Sequence, residues 1–157
     1  MKHTFEGTAS WAKVFEHNRD MQGFKGANIQ CDGKYTIDLE VNDETKDRIK
    51  STGTMKQGRR ENPNIFKFDR KHKHSVEAFG GAPEVFNEAG APWDIEVDGA
   101  FIGNGSEVKL VVDITKDKND PSIVYTRLEA VYVLSLKEFE PKEDDEDVDA
   151  GDEGIGF

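Results

Sequence analysis

The sequence predicts one all-β domain with a short helix and an acidic tail, and three observations carry that expectation. Apolar residues recur at every second position in separate runs, turn-forming residues bound those runs, and apolar content collapses from Glu140 onward. A length of 157 residues fits a single core, since a chain of this size buries enough surface without splitting.

The elements follow from alternation. Tyr35, Ile37, Leu39 and Val41 alternate with Lys34, Thr36, Asp38 and Glu40 between Asp32-Gly33 and Asn42-Asp43, which predicts a half-buried strand. Asp43 to Lys50 is the best helical stretch; Asp43 is its candidate cap and Ile49 its only strong apolar residue, so a short surface helix is expected. Asn64 to His74 predicts a strand in which Phe66 and Phe68 alternate with Ile65, Lys67, Asp69 and Lys71. Glycine and proline punctuate Gly80 to Pro92, a long loop. Gly103-Asn104-Gly105 launches a strand over Val108 to Thr115. A long strand follows from Ser122 to Phe139, with Leu128, Ala130, Tyr132, Leu134 and Leu136 on one side and Val131, Val133 and Ser135 on the other. About five strands in some 130 residues suit a small barrel or a sandwich. The OB-fold, a five-stranded Greek-key barrel, is one such barrel. A domain over 1–139 and a disordered tail over 140–157 are expected, because a segment with few apolar residues and one sign of charge cannot offset its ordering entropy.

Charge is unevenly spread. The formal net charge is −11, but Glu138 to Phe157 holds ten acidic residues against one base, Lys142. The body is nearly neutral, and within it Lys46 to His74 carries ten bases against three acids, a net +7. That segment has the footprint of an anion-binding surface. The single cysteine, Cys31, has no disulfide partner, no Cys-x-x-Cys pair exists, and neither an export signal nor an apolar span of about 18 residues is present. A cytoplasmic protein away from membranes is the expectation.

Several stretches in order give the chain a family likeness: Gly33-Lys34-Tyr35-Thr36-Ile37-Asp38-Leu39, Phe66-Lys67-Phe68, Phe101 to Leu110, Leu128-Glu129-Ala130-Val131-Tyr132-Val133-Leu134, and an acidic tail closing on phenylalanine. Together they resemble the single-stranded DNA-binding proteins of T-seven-like podophages. The resemblance implies an OB-fold that coats single strands during phage DNA replication and recombination in the host cytoplasm. It also implies a tail that contacts the phage DNA polymerase and primase-helicase, and it is compatible with a homodimer. The sequence departs from the family in a shorter segment before Phe66 and a shorter tail. The tail residues concerned are Asp144, Asp145, Glu146, Asp147, Asp149, Asp152, Glu153 and Phe157.

Sequence-independent binding of a single strand needs cations for phosphates and aromatic faces for unstacked bases. Arg59, Arg60, Lys67, Arg70, Lys71 and Lys73 interleave with Phe66 and Phe68, as such a groove requires; the alternative is a solvated charged strand with both phenylalanines in the core. Lys34 and Lys109 are further candidate cations. Trp11 and Phe15 flank Lys13, and Trp11 is the stronger stacking candidate because a buried indole N–H needs a partner; a core tryptophan is the competing reading. Tyr35 aligns with the core face of its strand.

Other chemistry is not expected. His72 and His74, two apart, lack further ligands at metal spacing, and neither Cys31 nor His3 nor His17 supplies one. Asp94, Glu96 and Asp98 would share a face if they lie on a strand, as in a magnesium-dependent nuclease, but no lysine or histidine stands by as a base. With no phosphate-binding glycine loop, neither an enzyme nor a cofactor is expected. Two other functions compete: an acidic chaperone or nucleic-acid mimic, which has no use for a +7 segment, and an OB-type RNA-binding protein, since stacking ignores the sugar.

Overall fold

A computed structural model describes residues 1–138; the tail, with every partner-binding residue assigned to it, lies outside the described residues. Six strands form one sheet: β1 (Lys2–Lys13), β2 (Lys34–Glu40), β3 (Ile65–Lys71), β4 (Glu84–Phe86), β5 (Glu107–Lys116) and β6 (Val124–Ser135). Two α-helices, α1 (Asp43–Ser51) and α2 (Ile95–Asp98), and three single-turn 3-10 helices accompany them. The order across the sheet is β3-β2-β1-β5-β6-β4. The expected five strands are thus six. The extra one, β4, is a three-residue edge strand parallel to β6, inside the stretch expected to be loop.

β1 holds the two halves together. Its first part, Lys2 to Thr8, pairs with Asp113 to Glu107 of β5, and its second, Thr8 to Lys13, pairs with Glu40 to Thr36 of β2. Gly7 stands at the crossing, where an added Cβ would come within 2.3 Å of the Glu40 carbonyl oxygen, so only glycine lets the strands approach. The sheet curls into a half-barrel that brings β3 near β6. Inside lie Phe5, Ile37, Leu39, Phe66, Phe68, Leu110, Val112 and Leu128, all buried.

α1 forms where alternation stops. The Asn42 side chain accepts from the Thr45 N–H at 2.8 Å, so the cap is Asn42 rather than Asp43, and acids sit in the first turn with bases in the last, as the helix dipole favours. Ile49 is fully buried, so the helix is anchored in the core as well as lying on the surface. The 94–98 stretch is helical, not a strand: Asp94 caps α2 by accepting from the Glu96 N–H at 2.9 Å, and its three acids do not share a strand face.

A bulge corrects the expected faces of β6. Val111 pairs with Ala130 and Val112 with Leu128, so Glu129 is the extra residue. An extra residue moves every later side chain to the opposite face. Leu128 points inward before the bulge, Val131 and Val133 after it, while Leu134 is exposed.

Arg70 joins β3 to β6 across the curl. Its guanidinium donates to the carbonyls of Gly81 (2.8 Å), Gly80 (2.9 Å), Ala78 (3.2 Å) and Leu128 (3.5 Å), and meets Glu129 at 3.3 Å. Burial pushes its pKa down and Glu129 opposes the shift.

Candidate nucleic-acid interface

β2 and β3 turn Tyr35, Ile37, Leu39, Phe66 and Phe68 inward, so the intervening residues form an outer face. There Lys34 lies opposite Lys71, Thr36 opposite Asp69 and Asp38 opposite Lys67. At the β3 edge this face meets the seam with β6 in a groove of about 740 Å³. Lys34, Asp69 and Lys71 line it from the sheet, Met55 and Lys56 from the segment after α1, His74 and Phe79 from beyond β3, and Tyr125 to Arg127 from β6.

The groove combines cations with open rings. Tyr125 is 52% exposed, and its hydroxyl donates to Asp117 at 2.8 Å, which fixes the ring without covering it. Asp117 also accepts from the Asn119 and Asp120 N–H groups, bracing the β5–β6 turn; those hydrogen bonds, Tyr125's first, hold its carboxyl below the usual range. The Arg127 guanidinium lies 3.8 Å over the Phe79 ring and is oriented by Glu129 (2.6 Å) and Asp113 (3.0 Å). His74 accepts from the Val76 N–H through Nδ1; partial burial, with Lys71, Arg127 and Arg70 nearby, lowers its pKa and favours the neutral ring.

The residues expected to bind separate into distinct groups. Lys34 and Lys71 lie in the groove, and Lys67 is exposed on the same face of β3. Lys73 and Arg60 are exposed beyond the two ends of β3. Arg59 is engaged with the buried Asp38 carboxylate. Arg70 lines the groove floor but is committed to carbonyls and Glu129, so it is a structural residue. Phe66, Phe68 and Phe15 are corrected to core: none offers a ring face to a ligand, because strand alternation turns both β3 phenylalanines inward and Phe15 packs against Trp93 and His17. Lys109 is away from the groove, with its ammonium 5.1 Å over the Tyr132 ring. Lys56, Phe79, Tyr125 and Arg127 were not singled out from the sequence. The alternation of Tyr125 and Arg127 with Val124, Thr126 and Leu128 at the start of β6 was the available signal.

Trp11 is exposed and strained. It sits in an irregularity of β1 between Ser10 and Lys13, has φ +51°, and is 67% exposed, while its backbone N–H donates to the Asn104 side chain at 2.8 Å. A positive φ in a bulky residue costs about 1–2 kcal/mol, and little burial of the indole offsets it. Trp93, by contrast, is partly buried with its indole N–H on Gly99 O at 2.8 Å.

Neither a protein-family model nor a curated protein sequence matches this chain, but solved structures do. The structure of gp2.5, a single-stranded DNA-binding protein encoded by bacteriophage T7, superposes with a TM-score of 0.58 at 18% identity, covering 91% of each chain. The fold is that of phage single-stranded DNA-binding proteins. A second member of this fold, the single-stranded DNA-binding protein of bacteriophage Enc34 in complex with ssDNA, matches with a TM-score of 0.54 at 14% identity, over 87% of this chain and 88% of its own. Its C-terminally truncated form gives 0.52 at 14% identity, over 88% of each chain. In this chain the shared phage fold carries the groove at the seam of β3 and β6. Among the described residues, no helix is long and apolar enough to cross a membrane.

Proposed function

We propose that this chain is a sequence-non-specific single-stranded DNA-binding protein of phage DNA replication and recombination. The observation that carries the reading is the groove itself: Lys34, Lys56, Lys71 and Arg127 line it together with the open Tyr125 ring, in a fold whose solved members bind single strands. We read β1-β2-β3-β5-β6 as an OB barrel with β4 added at its edge. In such barrels oligonucleotides lie on the outer face of the second and third strands, between the loop after strand one and the last hairpin loop. Here that face carries Lys34, Lys67 and Lys71.

The mechanism follows from the residues. Lysines and Arg127 take phosphates, while Tyr125 and Trp11 offer faces on which any base stacks, so the grip ignores sequence. The exposed cations argue against a nucleic-acid mimic. Titrating the intrinsic tryptophan fluorescence with oligo-dT, oligo-U and duplex DNA tests the class, and Trp11, the more exposed indole, is the expected reporter. Oligo-dT should bind best. Its affinity should fall with salt along a log–log slope of about −0.7 per phosphate engaged, or roughly −3 for four. A slope near zero removes the groove from the account, and a preference for oligo-U makes this an RNA-binding protein.

The acidic tail completes the proposal as a competing polyanion and as the attachment point for phage polymerase and primase-helicase. Deleting Glu143 to Phe157 should tighten DNA binding at low salt and change little at high salt, because screening shortens the reach of charge to about 8 Å at physiological ionic strength. Removing Phe157 alone should leave DNA affinity unchanged while abolishing polymerase or helicase capture in a pull-down. Capture that survives this removal leaves the tail only its electrostatic role.

A further inference from the structure

Lys34 and Lys71 face each other directly across β2 and β3, and like charges so placed repel. Lys56 reaches the same spot from the segment after α1. What holds two of these three ammonium groups together is a carboxylate: Asp69 lies 3.3 Å from Lys56 Nζ and 3.9 Å from Lys34 Nζ. It occupies the outward position of β3 between Lys67 and Lys71, and among the described residues Lys34 and Lys56 are its only side-chain partners. Among the described residues, no backbone group depends on it.

We propose that Asp69 is a built-in phosphate substitute that sets how tightly the groove holds a single strand. In the empty groove it gathers Lys34 and Lys56 into the positions from which they would meet a phosphate. An incoming phosphate must take both lysines away from the carboxylate and then lie beside its charge. Asp69 therefore orders the cations before binding and opposes the strand once it has bound. Arg127 stands in the same situation with Asp113, but its second carboxylate, Glu129, also serves Arg70, so only Asp69 can be changed without touching the seam. The consequence is a grip that releases readily, as a protein must when a polymerase follows it along the strand.

The inference rests on the groove being the DNA site, and the experiment separates the two ideas. Asp69→Asn keeps the side-chain volume and removes the charge. With two partly exposed ion pairs released, oligo-dT should bind about threefold to tenfold tighter at low salt. The salt slope should steepen by up to about 0.7, the contribution of one further phosphate. In a Lys34→Ala/Lys56→Ala background the same substitution should change affinity by less than about twofold, since the lysines it restrains are gone. An Asp69→Asn protein that binds no tighter than wild type, or gains equally without the two lysines, overturns the inference while salt-dependent binding by wild type leaves the groove in place. Wild-type protein that fails to bind oligo-dT overturns both. A thermal midpoint within a few degrees of wild type confirms that Asp69→Asn acts through binding.

Discussion

Arg70→Met is expected to destabilise the fold by about 2–4 kcal/mol, since it removes a buried guanidinium shared by four carbonyls and Glu129, and a hydrogen bond to a charged group is worth about 1.5–3 kcal/mol. The loss comes less from Glu129, which keeps Arg127 at 2.6 Å, than from the carbonyls of Ala78, Gly80, Gly81 and Leu128 that share the guanidinium. The buried Leu128 carbonyl costs about 1–3 kcal/mol if left without a donor, whereas those of Ala78, Gly80 and Gly81 are only partly buried and can turn to water. Since β3 and β6 lack ladder hydrogen bonds, Arg70 is a principal tie across their seam, and the contact of the Thr54 and Thr126 hydroxyls fastens the segment after α1 to β6 beside it. Urea denaturation of the full chain measures the effect. Lys71→Met, one residue away but facing solvent, should cost less than about 0.5 kcal/mol. Equal losses in the two variants would mean that Arg70 closes nothing.

Trp11→Gly should separate stability from binding. Glycine tolerates φ +51° without penalty, so the variant should be as stable as wild type or up to about 1 kcal/mol more stable. Affinity for oligo-dT should fall by roughly 1–3 kcal/mol at unchanged salt slope, which marks a lost stacking face rather than a lost charge. Quenching of tyrosine or Trp93 emission can follow the titration in its place. A variant that binds as wild type, at any stability, removes Trp11 from the site.

The strands β2, β5 and β6 and the helix α1 were legible because each carries its own signal in consecutive residues. β1 was not, since its inward positions hold Phe5, Gly7 and Ala9, and small residues at a three-strand junction erase apolar alternation. The basic character of residues 46 to 74 was legible too. The aromatic half of the site was not: the alternation that sends Lys67 and Lys71 outward sends Phe66 and Phe68 inward, so one strand cannot offer both chemistries on one face. The groove instead draws its open ring from Tyr125, more than fifty residues further along, and no local pattern announces that β3 will curl against β6.

The double pairing of β1 also bears on how the molecule is made. Thr8 to Lys13 can join β2, and through it β3, as soon as about seventy residues have left the ribosome, but Lys2 to Thr8 must wait for Glu107 to Asp113. For that interval Phe5 and the inward faces of β2 and β3 have no opposite wall, and distant strand pairings form slowly. Nascent chains of this protein should therefore be substrates for ribosome-associated chaperones until β5 emerges. A circular permutant that places β5 ahead of β1 should shorten that dependence.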